Sequence, residues 1–481
     1  MDNGLLFQGY ETHLPADSRH WARLQGAAGQ LKAIGVSSIW LPPAYKGTSV
    51  FDTGYSAYDL YDLGEFDQKG TVPTKYGTAD ELKRLIDTLH EHGIRVYADI
   101  VLNHKAGADE TERFMAIEVN PANRTEEIGE AHEIEGWTKF TFPGRGGQYS
   151  PFIWTFNHFS AIDFDHATGR NGIFRILGDN KGFALAVDPE YGNYDYLMHA
   201  NIDAAHPDVR NELFAWGEWY LKRFGYDGIR LDAVKHIDEN FMREFIEAMR
   251  ARVNPDIYAV GEYWTADTAR MRDYLDGVRF HMQLFDVALH YRFERASKEG
   301  EAFDLRTIFD DTLVQANPLN VVTFVDNHDS QPDESLASYV DAWFKPLAYA
   351  LILLRQDGYP CLFYGDYYGI GGGPGLEDVL NPLLIARKDK AYGEQVDQFY
   401  DRNAIAFARL GDLEQPHSGL VCLLSNGPES GTYMALGNGR AGQTWVDLTG
   451  HRQEELTLDG DGGATFTVNG GSVSVWVEKT T

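Results

Sequence analysis

Four apolar runs in this 481-residue chain end in polar clusters, three of them with acids whose neighbours suit catalysis. One closes Asp99-Ile-Val-Leu-Asn103-His104. A second reads Gly228-Ile-Arg230-Leu-Asp232-Ala-Val-Lys235-His236, a third Val260-Gly-Glu262-Tyr-Trp264, and a fourth Phe324-Val-Asp326-Asn-His328-Asp329. On a strand, residues i and i+2 share a face, so Arg230 and Asp232 point the same way. A neighbouring guanidinium is expected to lower the Asp232 pKa and keep it ionised, as a nucleophile requires. Glu262 lies between an apolar run and two aromatics, where desolvation is expected to raise its pKa toward general-acid work. Asp329 is a third carboxylate at the same end. Any one of these acids alone reads as a salt bridge or a helix cap. Three together do not, because buried charges are costly unless paired. Two carboxylates beside aromatic walls suit glycosidic cleavage through an oxocarbenium-like transition state. Tyr55, Trp264 and the cluster Trp154-Thr155-Phe156 offer flat apolar faces on which sugar rings stack.

These acids need elements to hold them. Short apolar or β-branched runs recur at Leu5–Tyr10, Ser38–Leu41, Arg95–Leu102, Gly228–Val234, Ile257–Glu262, His281–Leu289, Val321–Asp326 and Cys361–Tyr364. Segments of helical period, such as Ala79–His90 and Val209–Phe224, separate several of them. Alternating strands and helices imply an α/β fold with a parallel sheet under packed helices. Eight strands predict a closed (β/α)8 TIM barrel, with an open doubly wound sheet as the alternative that periodicity leaves standing. In a barrel the working face lies at the strand C-terminal ends. About a hundred residues between His104 and the helix at Val209 are too many for a loop and predict an inserted subdomain. Beyond residue 388, runs at Ala404–Phe407, Gly419–Leu424, Thr432–Leu436 and Ser472–Val477 alternate with turn signals and predict an all-β domain. The expected organisation is a catalytic barrel over 1–104 and 207–388, an inserted subdomain over 105–206, and an antiparallel C-terminal β-sandwich over 389–481.

Forty-two Lys and Arg against 72 Asp and Glu leave a net charge of −30. That balance argues against nucleic acid and anionic membrane surfaces as partners, since both call for clustered cations. It is compatible with a neutral ligand. Cys361 and Cys422, the only cysteines, make neither a disulfide framework nor a metal-ligand spacing. The nine-residue apolar stretch Pro346–Leu354 is too short to span a bilayer and reads as a core helix. The first residues show no signal-peptide pattern. The expectation is a cytoplasmic protein if the chain is complete and a secreted one if a signal has been removed. The sequon Asn123-Arg124-Thr125 suits the second case.

The motifs also carry a likeness. With Trp40-Leu-Pro-Pro-Ala-Tyr-Lys46, Gly54-Tyr55-Ser-Ala-Tyr-Asp-Leu-Tyr-Asp-Leu-Gly-Glu-Phe66 and Gly192-Asn-Tyr-Asp195-Tyr-Leu-Met198, the four strand-end motifs resemble the α-amylase family of retaining glycoside hydrolases. The likeness runs along nearly the whole chain and is strongest to the liquefying-type bacterial and related fungal enzymes. It implies Asp232 as nucleophile, Glu262 as general acid and then base, and Asp329 as transition-state stabiliser. Arg230 would orient Asp232. His104 and His328 would hydrogen-bond the sugar at the cleavage point, and Tyr55 would stack beneath it. Lys235 and His236 match a pair that faces the leaving-group sugars and favours an α-amylase over an exo-acting α-glucosidase.

The resemblance further implies one structural calcium, held by Asn103, Asp195, Asn201 and the backbone carbonyl of His236. Asn201 stands where an Asp is common, which should weaken the site. Ser160 and Ala184 stand where relatives place acids for further ions, so no full calcium–sodium–calcium triad is expected. The expected function is endo-acting α-1,4 hydrolysis of starch, glycogen or maltodextrin by a monomer. The alternatives are an α-glucan transglycosylase on the same scaffold or a non-catalytic glucan-binding protein.

Overall fold

A computed structural model of the chain describes residues 3–480. Eight parallel strands close into a barrel in chain order: Leu6–Gln8, Ser38–Trp40, Arg95–Ile100, Gly228–Leu231, Tyr258–Gly261, Gln283–Phe285, Val321–Phe324 and Tyr359–Phe363. The eighth pairs with the first, so the sheet has no edge. Helices cover the outside of the barrel and inward side chains fill its interior, so both faces of the strands are buried and they read as unbroken apolar runs rather than alternating ones. Every residue of the fourth and seventh strands is buried.

Helix termini follow their local signals. Ala79–Glu91 opens with a reciprocal capping box: Thr78 Oγ1 accepts the Glu81 N–H and the Glu81 carboxylate accepts the Thr78 N–H at 2.9 Å. Pro207–Phe224 has proline in its first turn and ends at Gly225, whose φ of +81° is the left-handed conformation that glycine supplies without strain. The apolar stretch near Pro346 is the buried helix Lys345–Leu354.

One expected element divides. The run His281–Leu289 holds a strand only over Gln283–Phe285, and a helix begins at Val287. Asp286 makes the break. Its carboxylate accepts the Leu289 N–H at 3.0 Å, capping the new helix, and also the Leu313 and Val314 N–H groups at 3.2 and 2.7 Å. A hydrophobic count cannot see a cap, so Val287, Ala288 and Leu289 look like more strand.

The insertion is a six-stranded antiparallel sheet in the order His104–Lys105, Ala200–Ile202, Phe159–Asp165, Arg170–Ile176, Glu110–Asn120, Asn123–Lys139. Its first strand leaves the barrel beside its last, with His104 paired to Asn201. At the C-terminal end, Gln395–Gln398, Ala404–Arg409, Leu420–Ser425, Ser472–Glu478, Thr444–Asp447 and Leu456–Thr457 form a second antiparallel sheet, overlaid by the pair Ser430–Ala435 and Gly463–Val468. Alternation along these strands divides two cores. Ile405, Phe407, Cys422, Leu424, Val473 and Val475 pack with the barrel, while Ala406, Ala408, Val421, Leu423 and Trp476 pack on Met434, Phe466 and Val468 of the overlying pair. Both cysteines are buried and their thiols are pushed up by desolvation, as expected of inert core residues.

Candidate active site

Strand register places the acids. Gly228 opens the fourth barrel strand level with Tyr97 on the third and Tyr258 on the fifth. Those two rings stack across it with centroids 4.7 Å apart, and a Cβ on Gly228 would meet Tyr97 at 2.6 Å. With Gly228 held there, Arg230 is level with Asp99 on the third strand, and Leu231 with Gly261 on the fifth. Asp232 and Glu262 therefore emerge together from neighbouring strand ends. The Glu262 N–H donates to the Leu231 carbonyl at 2.9 Å, and the Asp232 N–H to the Ile100 carbonyl at 3.0 Å. Ala233 then turns the chain with φ of +49°, a costly conformation for a residue with a side chain and one that gathers at working sites.

Arg230 is fully enclosed. Its Nη1 donates to Asp232 Oδ1 at 2.6 Å and to both Asp99 oxygens at 3.0 Å, while Nη2 contacts Glu262. Asp99, to which the sequence reading attached no role, is thus the buried counterion of the site. It accepts further hydrogen bonds from Trp40 Nε1 and the Tyr55 hydroxyl, both at 2.8 Å. Its signal was the strand-end motif itself, an acid five residues before His104.

One guanidinium serves three carboxylates here, and Asp329 lies nearby. The Asp232 pKa is consequently raised, to about 7, rather than lowered as the i, i+2 pairing suggested. Burial outweighs Arg230, and the Asp99 and Asp329 charges add to it. Burial likewise raises Asp329 against the pull of Arg230. His328 is driven down to about 3, by burial first and Arg230 second, so its ring is neutral. Its Nδ1 accepts from Gln8 Nε2 at 3.1 Å and its Nε2 faces Asp329 Oδ2 at 3.3 Å. The ring stacks on Tyr55 with centroids 5.0 Å apart and planes 10° from parallel.

Above these groups opens a cavity of about 250 Å³, lined by Tyr55, His104, Tyr194, Asp232, Lys235, His236, Glu262, Trp264, His328 and Asp329 and by the apolar Leu197, Met198 and Leu336. All ten residues expected to catalyse or to touch substrate thus lie at one barrel mouth, nine in the wall and Arg230 beneath. His104 Nε2–H donates to the Tyr55 carbonyl at 2.8 Å. Lys235 Nζ donates to Glu190 at 2.9 Å and to the Trp264 carbonyl at 3.1 Å, and His236 Nδ1–H to the Tyr194 carbonyl at 2.8 Å. Those contacts fasten the last loop of the insertion, which carries Glu190 and Tyr194, onto the barrel. Trp154 and Phe156 are not in the cleft. Trp154 is buried over Lys105 and Phe156 stacks on Phe114 at 5.1 Å, both serving the packing of the insertion.

Asn103, Asp195, Asn201 and the His236 carbonyl also come together, where the insertion meets the barrel. Asp195 is buried and, among the described residues, no cationic side chain pairs with it. It accepts from Ser160 Oγ and Asn201 Nδ2, each at 3.0 Å, and burial pushes its pKa up to about 8. The Asn201 Oδ1 is buried without a hydrogen-bond partner. Asn103 places one end of its amide 3.1 Å from His104 Nδ1 and the other 3.3 Å from the His236 carbonyl. Because the neutral His104 ring keeps its proton on Nε2, its Nδ1 needs a donor. The Asn103 nitrogen suits that side and its oxygen the side facing the His236 carbonyl. An uncompensated carboxylate, an orphaned amide oxygen and a further amide oxygen beside a carbonyl are a donor set for a hard cation. His158, His206 and Asp208 also bring ligating atoms within 4.8 Å of one another. Both His Nδ1 atoms accept backbone N–H groups there, from Thr155 and Asp208, so on each ring that lone pair is already engaged.

Comparisons with known proteins give the family. The family model described as alpha amylase, catalytic domain, matches residues 16–168 and 185–406. The chain belongs to the α-amylase family. It is a glycoside hydrolase of the α-amylase type. The glucan 1,4-alpha-maltohexaosidase of Bacillus sp. (strain 707) is 49% identical over 99% of this chain and 93% of that protein. The alpha-amylase of Geobacillus stearothermophilus is 48% identical over 100% of this chain and 88% of its own length. Among solved structures, an α-amylase from Geobacillus thermoleovorans complexed with acarbose superposes with a TM-score of 0.63 at 17% identity, covering 100% of this chain and 98% of that one. That last likeness speaks to the fold.

Proposed function

We propose that this α-amylase cleaves internal α-1,4-glucosidic bonds of starch, glycogen or maltodextrins with retention of configuration. The observation that carries the reading is Arg230, buried at the barrel mouth and shared by Asp99, Asp232 and Glu262 directly below the cleft. Asp232 attacks the anomeric carbon, and the bond to the leaving glucan oxygen breaks as Glu262 protonates that oxygen. Glu262 then takes a proton from water, whose oxygen displaces Asp232 and releases the sugar. Asp329, held by His328, stabilises the cationic ring between these steps. Tyr55 and Trp264 bound the sugar ring. His328 supplies a polar contact, His104 reaches the sugar by exchanging its Nε2–H bond to the Tyr55 carbonyl for one to a hydroxyl, and Lys235 and His236 face the leaving chain.

One calcium ion fits Asn103, Asp195, Asn201 and the His236 carbonyl. Its part is structural, tying the insertion to the barrel and thereby placing the loop that carries Tyr194. A monomer with a barrel over 1–104 and 207–388, an insertion over 105–206 and a C-terminal domain over 389–481 completes the proposal. The test is a timed product profile on soluble starch and maltoheptaose, with and without added maltose. Rapid loss of chain length with β-to-α mutarotation excluded as the source of the anomer supports endo hydrolysis with retention. Products longer than the substrate would instead mark a transglycosylase.

A further inference from the structure

Lys181 takes no part in the reaction, yet its side chain is only 6% exposed. Its Nζ donates to the backbone carbonyls of Asn157 and Phe159, the second at 2.9 Å, and lies 3.1 Å from Asp203 Oδ2. Two carbonyl oxygens and a carboxylate oxygen around one buried positive centre are the surroundings that a hard cation selects. The oxygens belong to separate segments. Asn157 and Phe159 lie where the turn Phe156–His158 runs into the strand Phe159–Asp165. Asp203 follows the strand Ala200–Ile202, and its other carboxylate oxygen accepts the Ala205 N–H at 3.1 Å at the approach to the helix Pro207–Phe224. Lys181 itself sits on the connection that leads to the cleft loop, where Asn193 Nδ2 donates to the Ala184 carbonyl at 2.7 Å.

The surroundings are acidic. A cavity of about 400 Å³ beside Lys181 is lined by Asp195, Asp203 and Asp238. Ser160 and Ala184, the positions where acids for further ions were expected to be missing, line the same cavity. Arg210 also reaches it, but its guanidinium is engaged by Glu244 and by the Ala204 carbonyl at 3.2 Å. Burial lowers the Lys181 pKa and Asp203 opposes that shift, so the ion pair is what keeps this enclosed amine charged.

We propose that Lys181 is a tethered cation: its ammonium does for this chain what a bound metal ion would otherwise do at that point, fastening the insertion to the start of the helix Pro207–Phe224. It is a positioning residue and touches no substrate. The consequence is a fold that needs no free ion at this second point, whatever happens at Asp195.

Lys181→Ala removes three carbons and the nitrogen, the outline of propylammonium. Melting curves of wild type and Lys181→Ala are recorded at fixed calcium and fixed ionic strength in choline chloride, sodium chloride or propylammonium chloride. The wild type is expected to melt alike in sodium and choline. Lys181→Ala is expected to melt at least about 3 °C lower in choline and to recover part of that loss in propylammonium or sodium. A variant as stable as wild type in choline, or one whose loss is the same in all three salts, overturns the proposal. If Lys181→Ala does not fold, Lys181→Arg and Lys181→Met decide the matter, since both keep the side-chain bulk and only arginine keeps the charge. Arginine melting above methionine supports the tethered cation, and methionine equalling or exceeding arginine overturns it. The readout is melting, so it stands apart from the test of starch hydrolysis.

Discussion

Arg230 carries one charge among three carboxylates, and that imbalance governs the chemistry of the site. Asp232 has its raised pKa because burial and the Asp99 and Asp329 charges outweigh the guanidinium. A carboxylate whose folded pKa exceeds its unfolded one makes the native state bind the extra proton, so its charge destabilises the fold as pH rises from about 4 toward 7. Asp232→Asn should therefore lose roughly 10³–10⁵-fold in kcat and yet melt above wild type at pH 7. The gain should shrink to nothing as the pH approaches 4. Melting curves across that range with maltoheptaose turnover check both parts, and a variant less stable at pH 7 would contradict the electrostatic account. Reading Asp232 from its i, i+2 neighbour alone misses this, because the other two claimants on Arg230 come from different strands.

At the level of elements, the strands of the insertion matter for where they begin and end. His104 and Asn201 pair across the first and last of them, which brings Asn103, Asn201 and Asp195 to one point at the barrel wall. Chelation should lower the melting temperature if a cation joins them there. Asn201→Asp adds a second carboxylate beside Asp195. It should raise the melting temperature above wild type in millimolar calcium and drop it below wild type in chelator, because two buried carboxylates without a cation repel. No difference between the two conditions would count against the cation. On the opposite barrel wall, Asp286 satisfies three backbone N–H groups from two helices. Asp286→Ala leaves them buried without an acceptor and should destabilise by about 2–5 kcal/mol, measured by denaturant unfolding, with kcat/KM of the folded fraction unchanged.

Across the whole molecule, the C-terminal sheet shares its inner face with the barrel and is held at its rim by polar contacts. Asn426 Nδ2 donates to the carbonyls of Gly300 and Phe303, each at 2.9 Å, and its oxygen accepts from Asn403 at 2.9 Å. Asn426→Ala should therefore cost about 1–3 kcal/mol of stability while leaving kcat/KM on maltoheptaose near wild type, because the contacts lie far from the strand C-terminal ends. Calorimetry and steady-state kinetics on the same preparation separate the two effects. A matching loss of turnover would mean that this domain reaches the cleft.

Local signals decided much of this protein. Apolar runs marked eight barrel strands, the Thr78–Glu81 spacing and Gly225 marked helix ends, and the acids after those runs marked the barrel mouth as the place of chemistry. Such features need only neighbours along the chain, and so they are written in order along it. Asp286 escaped because a cap is a hydrogen bond, not a hydrophobic pattern. Trp154 was misplaced because an aromatic that packs and one that stacks on sugar look alike in sequence. Tertiary structure alone decided that Asp99 shares Arg230 with Asp232 and Glu262, that Asp195 lies buried without a positive partner, and that Lys181 enters a cage of three oxygens. Each of those facts is a sum of charges and dehydrations contributed by separate segments, and electrostatic energy depends on distances through space that exist only once the barrel has closed.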